Sequence, residues 1–380
     1  MRMKKVIILA AVAIAAVACS RTYDVAPASD QAIGFGSWTG YLTKARVQGS
    51  NEFTVGDRIA VYGYKETGTT KSTVFDDVEV EMTAAGAPGT WFYSPLRYWD
   101  RTADSYVFYS VAPAAVGTAG NVDPQTGEIT SASITFAGND NDILVADKET
   151  VAKADFGSQV VLDFNHIATL VDFKVAKAPT LVDAIVKVKS LTLANIKATG
   201  KFSVNDAYNA TVYGGTAGPA VTWNPATGNA TYDPSKAVNP VDLGTDGIEI
   251  AQDTAFDPAH PTTPAASTMI IDNLVVMPQA FVEPNAAERT TPATATTAQK
   301  LTINYTIEVT GGGVNEYTST LFLYDFDMAN DDVQDASTFL GGWLTGKHYT
   351  FYITLDSTPI VFGATVNDWT VANGYHYLLN

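Results

Sequence analysis

RIAVYGY, residues 58–64, is a short run rich in Ile, Val and Tyr that closes into turn punctuation. Such a run reads as a β-strand. The same signal recurs in SYVFYSV (105–111) and VVLDF (160–164), each followed by Gly, Pro, Asn or Asp. No stretch shows helical amphipathicity beyond a turn or two, and the best of them, residues 332–340, is short. Repeated short strands joined by loops predict an all-β chain built of sandwiches. At 380 residues the chain is too long for one ordinary sandwich, so two domains are expected.

Composition narrows the setting. Asp and Glu outnumber Lys and Arg by 40 to 23, a net charge of −17. That balance argues against nucleic acid or an anionic membrane surface as a partner. The N-terminus is the exception to it. Met1-Arg2-Met3-Lys4-Lys5 is a positive n-region, and residues 6–18 are an unbroken apolar run of thirteen. This is too short to span a bilayer and fits an export signal. The single cysteine, Cys19, follows in Ala16-Val17-Ala18-Cys19-Ser20. Small residues ahead of a cysteine at this place form a lipobox, so residues 1–18 are expected to be cleaved and Cys19 to carry lipid, the only membrane attachment the sequence supports. Cleavage deletes Arg2, Lys4 and Lys5 and leaves 20 basic against 40 acidic residues, or −20. With no second cysteine, the exported fold must hold by its core alone.

Residues 19–32 are polar and without period, as a tether is. After them, residues 32–50 (AIGFGSWTGYLTKARVQGS) begin as a strand with Ile33 and Phe35 on one face. The stretch then runs into Lys44 and Arg46, two cations in a chain poor in them. A domain division is expected near Pro179, where proline interrupts the strand pattern ahead of the alternating run 185–193. This gives domains 33–178 and 179–380. Residues 301–309, Gly311-Gly312-Gly313 and residues 317–324 predict a β-hairpin with the glycines in its turn. Two Pro/Thr/Ala-rich stretches, 251–268 and 283–298, read as mobile surface loops.

Little in the chain offers chemistry. His166, His260, His348 and His376 are scattered without metal-ligand spacing. His166, in an apolar strand context, reads as a hydrogen-bonded structural residue. No nucleophile-elbow, zinc-protease or phosphate-loop motif occurs, so neither an enzyme nor a cofactor is expected. Of the acidic clusters at 140–142 and 325–332, the second starts like a calcium loop but lacks its glycine and closing glutamate, and both read as solvated carboxylates, with no metal site. The aromatic run TWFYSPLRYW (90–99) admits sugar stacking, but Trp91 and Trp99 read better as sandwich core with Pro95 turning the chain.

Four segments together resemble the fimbrillin family, specifically the Mfa-like fimbrillins that build type V pili on Bacteroidales-type bacteria. They are residues 32–46 behind the lipobox; Gly89-Thr90-Trp91 with Ser94-Pro95-Leu96-Arg97-Tyr98-Trp99; residues 162–168 with Val171-Asp172-Phe173; and residues 352–355 leading into 360–369. The resemblance implies two tandem transthyretin-like β-sandwiches and a lipoprotein precursor at the outer membrane, later an extracellular fimbrium. It also implies a trypsin-like or arginine-specific protease that cuts near the start of the first domain. A C-terminal strand of another fimbrial subunit then fills the groove left by the first strand. Carried onto this chain, the scissile bond is Arg46–Val47, with Lys44 as fallback. The removable first strand lies in 33–46 and carries Ile33, Phe35 and Trp38.

Strand physics supports the same picture. A sandwich missing a strand exposes unpaired backbone and apolar side chains, and it seeks a replacement with apolar residues at alternate positions. Ile360, Phe362, Ala364 and Val366 meet that need, so 360–369 is the candidate donor strand. Ile360-x-Phe362-Gly363 also repeats Ile33-x-Phe35-Gly36. Residues 371–380 continue past Trp369 as a further short strand, which leaves open which terminal strand is donated. The alternative function is a non-polymerising surface lipoprotein or a tip adhesin that binds glycan or host protein.

Overall fold

The computed structural model describes residues 32–39, 53–85, 89–136, 142–204, 209–213, 216–218, 221–226, 228, 230–232, 241–254, 265–309, 311–326, 341–356 and 361–368. Strands dominate them. The two α-helices, α1 (Ala114–Thr118) and α2 (Ala286–Thr290), are single turns. Residues 332–340 lie outside the described residues.

The first half builds one eight-stranded sheet. Its members are β1 (Phe35–Thr39), β2 (Arg58–Thr67), β3 (Thr70–Ala84), β4 (Thr90–Phe92), β5 (Ser105–Ala112), β6 (Leu144–Ala146), β7 (Glu149–Ala152) and β8 (Val160–His166). The order is β1-β8-β6-β5-β2-β3-β4, with β7 also paired to β5. All pairs are antiparallel except β1 with β8, which run parallel from Phe35 opposite Val160 to Thr39 opposite Phe164. The alternation of β8 explains its placement: Val160, Leu162, Phe164 and His166 are buried, while Val161 and Asp163 face outward. Its inward residues join Ile33, Phe35, Phe53, Phe75, Phe108, Trp91 and Trp99 in one aromatic-rich core. The two tryptophans expected in the core are there, at 6% and 2% exposure.

Sheet membership changes between β8 and β9 (Thr169–Lys177), at Ile167 and Ala168. Of β9's residues all but Lys174 are buried, so it is an interior strand covered on both faces. Three further strands belong with it: β13 (Thr268–Val276), β16 (Lys347–Leu355) and β17 (Val361–Asp368), in the order β13-β9-β16-β17. β9 and β16 run parallel, and β16 and β17 antiparallel. A facing sheet is formed by β10 (Ala184–Ile196), β14 (Lys300–Val309) and β15 (Val314–Phe322). β14 and β15 are the hairpin read from the glycines, paired from Lys300↔Phe322 to Glu308↔Val314, with Gly311 at φ +79° in the turn. A smaller sheet joins β11 (Thr199–Val204) and β12 (Val221–Pro225) to short pieces from residues 121–135 of the first half.

Two readings are corrected by the structure. Within 283–298, read as mobile surface, Asn285 and Glu288 form a capping box on α2. Glu288 is 7% exposed, and its Oε1 accepts from the Thr297 hydroxyl and from the N–H groups of Thr296, Thr297 and Ala298. Those bonds hold its carboxyl down at about 2. Beside it the Lys300 ammonium donates to the carbonyls of Pro292, Ala293 and Ala295. Buried polar anchors, not composition, decide this segment. Likewise Asp142, read as solvated, is 7% exposed and bonds His166 Nδ1 at 2.9 Å. His166 itself, at 2% exposure, is the structural residue expected.

Candidate functional site

The feature that sets the first sheet apart is the seat of its first strand. β1 borders β8 on one edge and lies against β4 on the other, so it closes the two ends of the sheet on each other. Residues just before it are seated too. Ile33 N–H donates to Arg97 O at 2.8 Å, and Ala32 bridges Tyr98. Val160 N–H donates to Gly34 O at 2.8 Å on the opposite edge.

Side chains complete the seat. Ile33 and Phe35 are 0% and 1% exposed. The Phe35 ring meets Phe75, Phe108 and Tyr93 edge-on, at centroid distances of 5.2, 5.6 and 5.7 Å. Burying both side chains is worth about 3–6 kcal/mol gross. Three polar groups reach the strand from outside it. The Tyr93 hydroxyl donates to Ile33 O at 2.8 Å, the Gln159 amide to Phe35 O at 2.7 Å, and Trp91 Nε1–H to Ser37 Oγ at 3.1 Å. Burial pushes the Tyr93 phenol up, which keeps it a donor.

Behind the seat, on the outer face of β8, Asp163 stands opposite Trp38 in the parallel register. Asp147 donates its N–H to Asp163 O, and its carboxyl accepts from Asn165 Nδ2 at 2.8 Å. Burial first, then the charge of Asp163, push the Asp147 carboxyl up to about 6 against the Asn165 bond. The same two causes raise Glu149.

The remaining sites fall as follows. Cys19, Lys44, Arg46, Val47 and Ile360 lie outside the described residues. Trp38 is in β1. Phe362, Ala364 and Val366 are in β17, opposite Ile353, Phe351 and Tyr349, whose side chains are all fully buried. β1 and β17 therefore sit on different sheets, and this chain does not bring them together. The groups that grip β1 (Tyr93, Gln159 and Trp91 with Ser37) carry no motif, and sequence reading did not find their roles. The only hint was the aromatic run that holds Trp91 and Tyr93.

Among the described residues, His166 and His348 build no reactive centre with these groups; His260 and His376 lie outside the described residues. His348 Nε2 pairs with Asp172 Oδ2 at 2.7 Å inside the second sheet. The cleft beside Asp142, about 330 Å³, is lined by Phe53, Arg58, Glu79 and Pro113. Its cation Arg58 is already bridged to Glu79 and Glu81. Among the described residues no group of three or more His, Cys, Asp or Glu is disposed to hold a metal ion. No helix among them is long and apolar enough to cross a membrane.

What the described residues assemble here is a seat for a strand, built from aromatic packing and three polar donors. The chain is a member of the fimbrillin-like family, whose model matches residues 43–369. Membership makes it a fimbrial protein of the cell surface and not an enzyme. Among solved structures it is similar to a fimbrial protein from Bacteroides vulgatus, at 17% identity over 90% of this chain and 100% of that one, with a TM-score of 0.53. It is also similar, at a TM-score of 0.34 and 10% identity over 90% of this chain and 100% of the other, to the C-terminally truncated tip fimbrial protein Mfa3 of Porphyromonas gingivalis. No curated protein matches it in sequence.

Proposed function

We propose that the chain is the precursor of a fimbrial subunit. It is exported as a lipoprotein on Cys19, cut after Arg46, and joined to other subunits by strand replacement. The observation that carries this reading is the seat. Ile33 and Phe35 fill the core of the first sheet, yet the strand that bears them ends at Thr39, ahead of the two cations. The family match begins at residue 43, past β1. A cut after Arg46 turns β1 from part of the chain into a separate peptide, so its departure opens an apolar groove between β8 and β4. The proposed occupant is residues 360–369 of a second copy or of an accessory subunit. The domain division proposed with this reading is 33–178 and 179–380, with β9 (Thr169–Lys177) crossing it to pair with β13 and β16.

The test is to express the full chain beside a Lys44→Ala/Arg46→Ala double variant. Shed material is then examined by N-terminal sequencing and electron microscopy. The expected result is a new N-terminus at Val47 with filaments for the parent, and an uncut precursor without filaments for the variant. Deleting residues 359–380 should give a secreted, folded monomer that does not polymerise. Fibres from either variant defeat the assignment.

A second reading, a surface lipoprotein that binds glycan or host protein without polymerising, is favoured by one observation. β17 pairs with β16 of its own chain and so already has a place. A cut, shed chain that stays monomeric would decide for it.

A further inference from the structure

We infer that Trp91, Tyr93 and Gln159 act as a register clamp that selects which strand occupies the seat. The clamp accepts an extended segment with an aliphatic residue, an aromatic residue and a small hydroxyl residue at alternate positions. The inference rests on the strand-replacement reading for its second occupant, but not for its first.

Two of the contacts ignore side chains. Tyr93 and Gln159 donate to the carbonyls of Ile33 and Phe35, two residues apart and so on the same edge of the strand. Any extended backbone satisfies them, but only in steps of two, which keeps the inward face inward. A slip of one residue would turn Ile33 and Phe35 outward. Gln159 also donates to Gly89 O, ahead of β4, so one amide ties the seated strand to the opposite wall.

The third contact does read a side chain. Trp91 Nε1–H lies in the core, and its acceptor is Ser37 Oγ, on a residue 7% exposed. A buried donor left without an acceptor is costly. The third position of the seat therefore asks for a small side chain that accepts a hydrogen bond, after an aliphatic first and an aromatic second.

This chain's own tail, laid in the same direction, puts Ile360 at the place of Ile33, Phe362 at that of Phe35 and Gly363 at that of Gly36. It then puts Ala364 at that of Ser37. It fits the first two requirements and fails the third. The seat thus prefers the strand it is made with, and a copy's tail competes only once the cut has freed that strand. A subunit whose tail carries Ser or Thr at the third position is the better-fitting partner.

Hydrogen exchange of the 32–39 segment in the uncut full chain tests the clamp without any polymer. Ser37→Ala should speed opening of this segment about tenfold, one hydrogen bond's worth, while Ser37→Thr should stay near the parent. In a Trp91→Phe background, Ser37→Ala should have no further effect. A merely structural serine would not show that coupling, and an equal effect in both backgrounds overturns the clamp.

Ala364→Ser then tests the second occupant. Its copy-to-copy joints should dissociate about tenfold more slowly in denaturant. Joints unchanged by this substitution overturn the selection rule and leave strand replacement standing. Should no chain polymerise while the Ser37–Trp91 coupling is measured, the clamp on β1 holds and the polymer reading falls.

Discussion

β1 and β17 both lie at the border of a sheet, yet they are held in different ways. β1 runs parallel to its neighbour, is gripped on both edges, and takes its contacts from far along the chain. Gln159 lies 124 residues and Tyr93 60 residues from the groups they bind. Among the described residues, β17 pairs antiparallel with the strand just before it in sequence, along one edge. A strand held by distant parts of the chain keeps its place through effective concentration, and a cut between it and the body removes that advantage at once. One attached through a short local connection loses nothing by a cut elsewhere. On the strand-replacement reading we propose, the first strand is the one whose release a protease would govern, and the last is the one that would be donated with the chain uncut.

The comparison breaks most easily at Phe35. Truncation to Ala empties a cage of three aromatic rings and should cost about 3–5 kcal/mol, read as a lower denaturant midpoint for the uncut chain. Phe362→Ala, on a strand paired with the one just before it in sequence, should cost less than half as much. Equal losses would mean that the two borders are held alike.

Lys300 moves the contrast into the second half, where buried polar groups do what aromatic rings do around β1. Lys300→Met keeps the stem but strands the carbonyls of Pro292, Ala293 and Ala295. A loss of about 2 kcal/mol is expected by urea unfolding. No loss would return residues 283–298 to the surface loop their composition describes.

What the sequence disclosed follows from range. Runs of Val, Ile, Tyr and Phe made 58–64, 105–111 and 160–164 legible as strands, and three glycines between two such runs made the β14–β15 hairpin legible. The core role of Trp91 and Trp99 was also readable from residue type. The parallel pairing of β1 with β8 was not, because nothing local marks a partner so far along the chain. Gln159 and Ser37 were missed for a related reason: one reads a main-chain carbonyl and the other offers a single oxygen, and neither makes a pattern. Glu288 and Asp142 were misread because a carboxylate's partners decide whether it is buried, and those partners belong to tertiary structure.

Asp147 gives the smallest effect and the sharpest sign. Its carboxyl sits behind the seat, across from Asp163, and titrates at about 6 against an ordinary 3.8. The folded state therefore holds the proton more tightly than the unfolded chain. Stability falls as pH rises from about 4 through 6 and stays lower above that. Asn at this position keeps the oxygen that accepts from Asn165 and removes the charge. Asp147→Asn should then be more stable than the parent at pH 8 by about 1 kcal/mol, once screening on its open side is allowed for. The gap should close as pH falls toward 4. Glu288 runs the other way: held at about 2 against 4.5, it contributes above the ordinary value and is lost as pH falls toward 2. Acid should therefore loosen the α2 segment first, whereas a rise from about pH 4 through 6 bears on β6 and β8 beside the seat. A gap between parent and Asp147→Asn that does not change between pH 4 and 8 would remove the charge of Asp147 from the account of how β1 is held.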